Sequence, residues 1–406
     1  MHRIAPFAAV ICLTAGVASA QQLRFDDVVR NLRNPDPKAR LSAVHLLRDA
    51  KYPEAIVPMA ALVLDPIDEI QLEAIAAELG FFLEQDVKSK RMVGFVLEQR
   101  KSAIARAAFD LGPYAVWPRA VPPELVTALL QAVDDDSAKV RLEAIYATGV
   151  IGRAPLTADQ VGRLAKALDH YDPGVRAGAA HVIARLRVAE TGDALIKAVN
   201  DSQAAVRYAA MRALGAIRDP RAVGALSEQL AYYKKGEGAW SALDALARIA
   251  SPASVPLFRE RLQDKDPYIR RAAAEGVGRT GDTESIAVLE RAATIDDSVM
   301  VRLATVFALQ KLGRNYGARI VDLMSSAKVI PQAQEYLVEL GPSMSATLLP
   351  RLQEPDADIR EAVADVLGLV GDASAVPALE AAAKDRDASV ASAAKRAILR
   401  LQSPAR

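Results

Sequence analysis

Several groups of residues in this 406-residue chain have types and spacings that invite chemistry. Gly276-Val-Gly278-Arg-Thr-Gly281 matches the G-x-G-x-x-G pattern that brings backbone amides to a pyrophosphate. That use requires a preceding strand and a helix that opens at the glycines. Here the glycines end a helix-like run, so no cofactor is assigned to them. Asp134-Asp135-Asp136 offers carboxylates to a cation, but the glycine and spaced oxygen donors of a calcium loop are missing. These acids read as caps for the helix that follows. Beyond His2 the histidines are His45, His170 and His181, with no His-x-x-x-His and no His-Glu pair. No G-x-S-x-G elbow or phosphate-binding loop occurs. The reading therefore assigns no catalytic residue, no metal ligand and no cofactor.

One segment carries binding chemistry instead. Tyr232-Tyr233-Lys234-Lys235-Gly236-Glu237-Gly238-Ala239-Trp240 gathers aromatic and basic side chains around flexible glycines. Exposed tyrosine and tryptophan anchor protein interfaces. Tyr232, Tyr233, Lys234, Lys235 and Trp240 are thus the candidate protein-binding residues. A second irregular zone runs from Phe81 to Trp117 and includes Phe82 and Tyr114.

These segments stand out because the rest of the chain repeats. An arginine recurs at Arg40, Arg141, Arg176, Arg207, Arg270, Arg302 and Arg360. Gln71, Arg106, Ala239, Ala333 and Ala391 fill the equivalent place in degenerate copies. From 40 to 391 there are eleven steps of about 32 residues, most of them 31 or 32. Four residues before the arginine stands an N-cap: Asp36, Ser137, Asp172, Asp266, Ser298 or Asp356. Pro37, Pro173 and Pro267 suit the first helical position. Apolar positions follow at helical spacing, as in Val206, Ala209, Ala210, Ala213 and Leu214. Gly152, Gly281, Gly313 and Gly371, eleven residues after their arginines, are expected as left-handed C-caps. A second short helix with an early proline (Pro58, Pro256, Pro377) completes each unit. The four-residue Asp-to-Arg spacing suggests pairing on one helix face. The arginines are read as a structural ladder.

The pattern Asp-x-x-Val-Arg-x-x-Ala-x-x-x-Leu-Gly resembles the HEAT repeat, in the shorter HEAT-like form named after phycobilisome lyases. The resemblance covers nearly all of the chain after residue 20. It implies an all-α solenoid: a right-handed superhelix of about 12 antiparallel helix pairs with one concave and one convex face. Deoxyhypusine hydroxylases resemble the chain too, but that family binds di-iron through repeated His-Glu pairs, which this sequence lacks. An enzyme of the hydroxylase or lyase class is the rival reading that the resemblance offers.

Composition agrees with helices packed through small side chains. Apolar residues are 51% and aromatics only 5%. With Lys plus Arg at 51 and Asp plus Glu at 50, the net charge of +1 gives no global electrostatic reason to expect a nucleic-acid partner. Met1-His2-Arg3, the apolar run Ile4 to Val17 and Ala18-Ser19-Ala20 form a signal-peptide pattern, with cleavage expected after Ala20. The run is too short to span a bilayer. Cys12, the only cysteine, lies inside it, so the mature chain (21–406) would carry no thiol. The expectation is a periplasmic or secreted scaffold that binds proteins or peptides on its concave surface, without catalysis of its own.

Overall fold

The computed structural model describes residues 24–83, 104–153 and 155–402. The expected leader with Cys12 lies outside them, as does most of the stretch between Phe82 and Ile104.

The fold is an all-α solenoid. Among the described residues, twelve helices carry the arginine position or its equivalent: Pro37–Ala50, Asp68–Phe82, Ile104–Asp110, Ala138–Ile151, Pro173–Leu186, Ala204–Ile217, Gly236–Ile249, Pro267–Thr280, Val299–Lys311, Ile330–Leu340, Ala357–Val370 and Ala388–Gln402. Shorter helices such as Gly192–Ala198, Val255–Arg261 and Val376–Ala382 alternate with them. No strand forms among the described residues; Leu83 and Val116 make an isolated antiparallel bridge.

Local chemistry explains the elements. Asp36, Asp172, Asp266 and Asp356 each accept a backbone amide two residues on, which removes an orphan donor of the first turn. Ser137 and Ser298 hold the cap position without a side-chain bond. At the other end the expectation is only partly met. Gly281, Gly313 and Gly371 are left-handed, with φ of 75°, 80° and 82°. Gly152 is not: its φ is −54°, and a Cβ there would lie 2.5 Å from the carbonyl oxygen of Thr148. Lys51, Arg187, Arg218 and Ala250 take the left-handed C-cap instead, although none is glycine.

Stacking is tightest between the arginine-bearing helices. A Cβ on Gly215, Gly278 or Gly368 would fall 2.6–2.7 Å from the Cα of Ala245, Ala308 or Ala397 on the next such helix. Glycine lets these backbones approach, while successive short helices stay farther apart. That asymmetry bends the array, with the arginine-bearing helices on the inner, concave side. The same packing explains the false nucleotide motif. Gly276 makes room for the Phe258 ring, Gly278 for Ala308, and Gly281 caps the helix. The curl is tight enough that Arg400 of the last helix donates to the carbonyls of Pro113, Tyr114 and Val116, 284–287 residues away.

Candidate functional site

Along one rim, the ladder arginines Arg40, Arg176, Arg270 and Arg360 each make two sets of bonds. One Nη1 donates back to carbonyls five and six residues earlier, as Arg176 does to Tyr171 and His170. Nε and Nη2 reach the acid of the following turn: Arg40 to Asp65, Arg176 to Asp201, Arg270 to Asp296 and Arg360 to Asp385, 25 or 26 residues on. Arg141 reaches Asp172, and Arg302 donates to the carbonyl of Asp296. The four-residue pairing suggested by the sequence is corrected here. The N-cap carboxylates give one oxygen to a backbone amide of their own helix, and the arginines pair across units instead of with the cap four residues before them. Burial opposes charge on Asp172, Asp201 and Asp296, but bonds from Arg141, Arg176 and Arg270 hold these carboxyls below their usual range.

This ladder redefines the irregular turn. Tyr233 sits where other units place the acid, and Arg207 Nε donates to its hydroxyl at 2.5 Å. Its half-buried ring lies edge-on to Tyr208 and Tyr232. A side chain on Gly238 would collide with that ring. Trp240 Nε1 donates to Asp266 at 2.6 Å, and its ring stacks on Tyr268 at 4.2 Å. Tyr233 and Trp240 therefore take part in the ladder as aromatic rungs. Tyr232, 73% exposed, and the exposed Lys234 and Lys235 stay on the rim. Lys234 borders a shallow cavity of about 440 Å³ with Leu230, Leu257 and Arg261. The five candidates thus divide between two places, and only Trp240 reaches the concave side.

There it lines a cleft of about 570 Å³ together with Arg212, Glu237, Ser241, Asp244, Arg248, Tyr268, Arg271, Lys328, Pro331, Gln332 and Glu335. Its walls come from helices Ala204–Ile217, Gly236–Ile249 and Pro267–Thr280, and, across the bend, from Ile330–Leu340 and the turn before it. An ion network holds them together. Asp244 accepts from Arg248 and Arg271 at 3.0 and 3.1 Å. Glu275, fully buried, accepts from Arg271 at 2.7 Å, Arg279 at 2.8 Å, Gln332 at 3.1 Å and the Tyr336 hydroxyl at 2.5 Å. Arg248 reaches Glu335, 87 residues on, and Arg279 reaches Glu339, 60 residues on. Arg218 also approaches Glu339, at 3.6 Å.

The electrostatics follow from burial and pairing. Burial alone would raise the Asp244 carboxyl, but Arg248, Arg271 and Arg279 outweigh it and keep that group ionised. Arg279 does the same for Glu339 against burial. Burial, with Glu275 beside it, holds the Tyr336 phenol protonated well above its usual range. At the closing contact the balance reverses. Burial pushes the Asp365 carboxyl up to about 7, against the pull of Arg400. Arg396 lies 3.2 Å from the same carboxylate.

Sequence reasoning missed this network and one further group. Glu78 occupies the position seven after the ladder place, where Leu214, Leu309 and Leu367 are core residues. It is fully buried, and its two oxygens have no hydrogen-bond partner. Burial pushes its carboxyl well above the usual carboxylate range. An acid in a leucine column of the repeat was the available signal. Among the described residues, no group of three or more His, Cys, Asp or Glu is placed to hold a metal ion. No described helix is long and apolar enough to cross a membrane.

The rim ladder, the capped helix pairs and the glycine contacts describe one repeat, and the profile of HEAT repeats matches residues 161–235, 234–310 and 345–406, just over half of the chain. The chain belongs to the HEAT-repeat family. No curated protein matches it. Solved structures similar to this HEAT array include an engineered protein at 18% identity, covering 93% of this chain and 99% of that one, with a TM-score of 0.42. The complex of CpcE and CpcF of phycocyanin lyase from Nostoc sp. PCC7120 is 18% identical, covering 78% of this chain and 99% of that one, with a TM-score of 0.36. Human deoxyhypusine hydroxylase in complex with glycerol is 19% identical, covering 69% and 96%, with a TM-score of 0.29.

Proposed function

We propose that this HEAT array is an exported scaffold that holds an extended segment of another protein in the concave cleft beside Trp240. The observation that supports this reading is the cleft itself. It opens on the concave side of the array, its wall is the stacked Trp240–Tyr268 pair with Pro331, and charged groups surround that wall. Aromatic surface flanked by polar groups is what a peptide segment needs from a receptor. The rim turn at Tyr232, Lys234 and Lys235 is the secondary contact. The scaffold performs no chemistry of its own, and its place is the periplasm or the cell exterior.

Photo-crosslinkers placed at the exposed positions Glu237 and Lys328, and separately at Tyr232, test the site in the native cell envelope. Capture of a partner from the two cleft positions is the expected result. Capture from Tyr232 alone moves the function to the rim, and capture from none of them overturns the reading. Fractionation with N-terminal sequencing should find the chain outside the cytoplasm, starting at Gln21. Stoichiometric iron in the purified mature chain would favour the hydroxylase rival.

A further inference from the structure

Part of the irregular zone between Phe81 and Trp117 stands outside the stack. Elsewhere a ladder arginine reaches the acid six residues before the next ladder place, as Arg40 reaches Asp65 ahead of Gln71. Gln71 in turn reaches Asp135 ahead of Arg141, 64 residues on, at 2.8 Å. The rung passes over Arg106, and helix Asp68–Phe82 packs directly on Ala138–Ile151. The inserted stretch is pinned where it leaves the stack and where it returns. Leu83 bridges Val116, and the Trp117 amide donates to the Phe82 carbonyl at 2.8 Å.

Helix Ile104–Asp110 and the turn after it lie on the concave face. That face is lined by side chains five and nine residues after the ladder places, as Arg212, Asp244 and Arg248 line the Trp240 cleft. Phe109 covers the same columns in the preceding units. Its ring is edge-on to Tyr146 at 5.4 Å and lies 6.4 Å from His181. A Cβ on Gly149 would touch that ring at 2.5 Å, and the Arg185 guanidinium lies over it at 3.6 Å. Main-chain groups hold the rest. The Phe109 carbonyl accepts from Arg185 at 2.7 Å, Arg400 takes the carbonyls of Pro113, Tyr114 and Val116, and the Ala105 amide donates to Glu143 at 2.8 Å. Arg106, Asp110 and Leu111 stay exposed. A seven-residue helix does not hold itself in water, so the array orders it.

One buried aromatic anchor with main-chain groups tied to fixed partners is the way a receptor holds a peptide. Carbonyls carry no sequence information, so another segment with a suitably placed aromatic residue meets the same donors. Column five runs Tyr146, His181, Arg212 and Asp244, from the Phe109 pocket into the Trp240 cleft. The pocket and the cleft are therefore one groove, part covered and part open. Resting on the scaffold reading above, we propose that residues 104–117 are a built-in occupant of this groove, and that a partner segment displaces them by placing its own aromatic residue in the Phe109 pocket and its carbonyls on Arg185 and Arg400.

Fluorescence anisotropy tests this with a labelled peptide of residues 104–117 and a twin with Ala for Phe. A tethered segment competes at an effective concentration of about a millimolar. The purified mature wild type should therefore bind the peptide weakly. Phe109→Ala empties the pocket and should bind it at least about tenfold more tightly. Adding Arg185→Ala to that chain, or using the Ala twin, should remove the gain. Hydrogen exchange on the wild type needs no variant: the amides of Ala105 and Phe109 should exchange at least about tenfold faster than those of Ala144 and Ala179 in the helices beneath, through local release of the segment. Equal binding by wild type and Phe109→Ala, or binding by neither, overturns the occupant. Exchange of Ala105 and Phe109 in step with Ala144 and Ala179 overturns it too, because the segment would then be part of the stack. Crosslink capture at Glu237 and Lys328 without peptide binding leaves the scaffold and removes the occupant. Peptide binding to Phe109→Ala without capture keeps the occupant and removes the cleft partner.

Discussion

The rim and the concave interior use the same residue types for opposite purposes. On the rim, Arg176 binds the carboxylate of Asp201, whose carbonyl in turn accepts from Arg207. Each bond joins a unit to the next one and repeats along the array. In the interior, Glu275 gathers Arg271, Arg279, Gln332 and Tyr336, and Arg248 reaches 87 residues ahead to Glu335. The bonds to Gln332, Tyr336 and Glu335 skip units, and none of them repeats. The rim therefore fixes how one pair of helices sits on its neighbour. The interior fixes how far the whole array curls, because only a particular curvature brings such distant groups together. A solenoid stores its stacking geometry locally and its global shape in long-range contacts.

Removing the hub is the strongest way to test that division. Glu275→Ala leaves Arg271 and Arg279 short of a buried counter-charge, and breaking buried pairs in this way costs about 3–5 kcal/mol. Urea unfolding should register the loss, and small-angle scattering should show a larger radius of gyration. Unchanged dimensions would mean that the glycine contacts alone set the curvature. The closing contact responds to pH with the next largest effect. Burial raises the folded pKa of Asp365 to about 7, so its contribution to stability is complete below the unfolded carboxylate range near 4 and is lost as pH rises toward 7. The gap between the folded and unfolded carboxyl corresponds to at most about 4 kcal/mol. Asp365→Asn should flatten the stability profile between these two pH values. The ladder carboxylates Asp172, Asp201 and Asp296 titrate in the opposite sense. Their folded pKa values are lowered, so their contribution is present above pH 4 and fades on acidification.

How much of this was legible follows from the same distinction. Caps, ladder positions and tight glycines recur at fixed offsets, so one register exposes them all: Asp36 predicts Asp172 and Asp356, and Gly215 predicts Gly278 and Gly368. The HEAT family and the solenoid were readable from that register alone. The rung role of Tyr233 was missed because its residue type outweighed its position. It stands 26 residues after Arg207, where Asp296 stands after Arg270, and that offset marks a rung whatever the side chain. Gly152 shows the converse error: it is in the C-cap register, but it is needed for contact with the Thr148 carbonyl and not for a positive φ. The concave network was not legible. The pairing of Arg279 with Glu339 depends on the summed rotation of the intervening units, and no local spacing encodes that sum.

A single rung tests the rim at smaller scale. Arg176→Ala removes bonds to Asp201 and to two carbonyls, all from a mostly buried side chain. Charge-assisted hydrogen bonds of this kind are worth about 1.5–3 kcal/mol. Chemical denaturation should show that loss with no change in the radius of gyration, because the contact is local. If the array opens, the rim also carries curvature, and the division between the two regions fails.

The smallest effect separates geometry from energy on the rim itself. Lys197 and Asp169 also bridge neighbouring units, at 2.8 Å, but their side chains are 71% and 62% exposed. Water already solvates both charges, and ordering two long side chains offsets the attraction, so such pairs contribute about 0–1 kcal/mol. Lys197→Ala should lower the unfolding free energy from urea titration by less than about 0.5 kcal/mol, and the difference between wild type and variant should vanish in high salt. A loss as large as that of Arg176→Ala would show that any bridge between units stabilises the stack. The expected contrast instead assigns the stabilisation to burial and bidentate geometry, which the ladder arginines have and this lysine lacks.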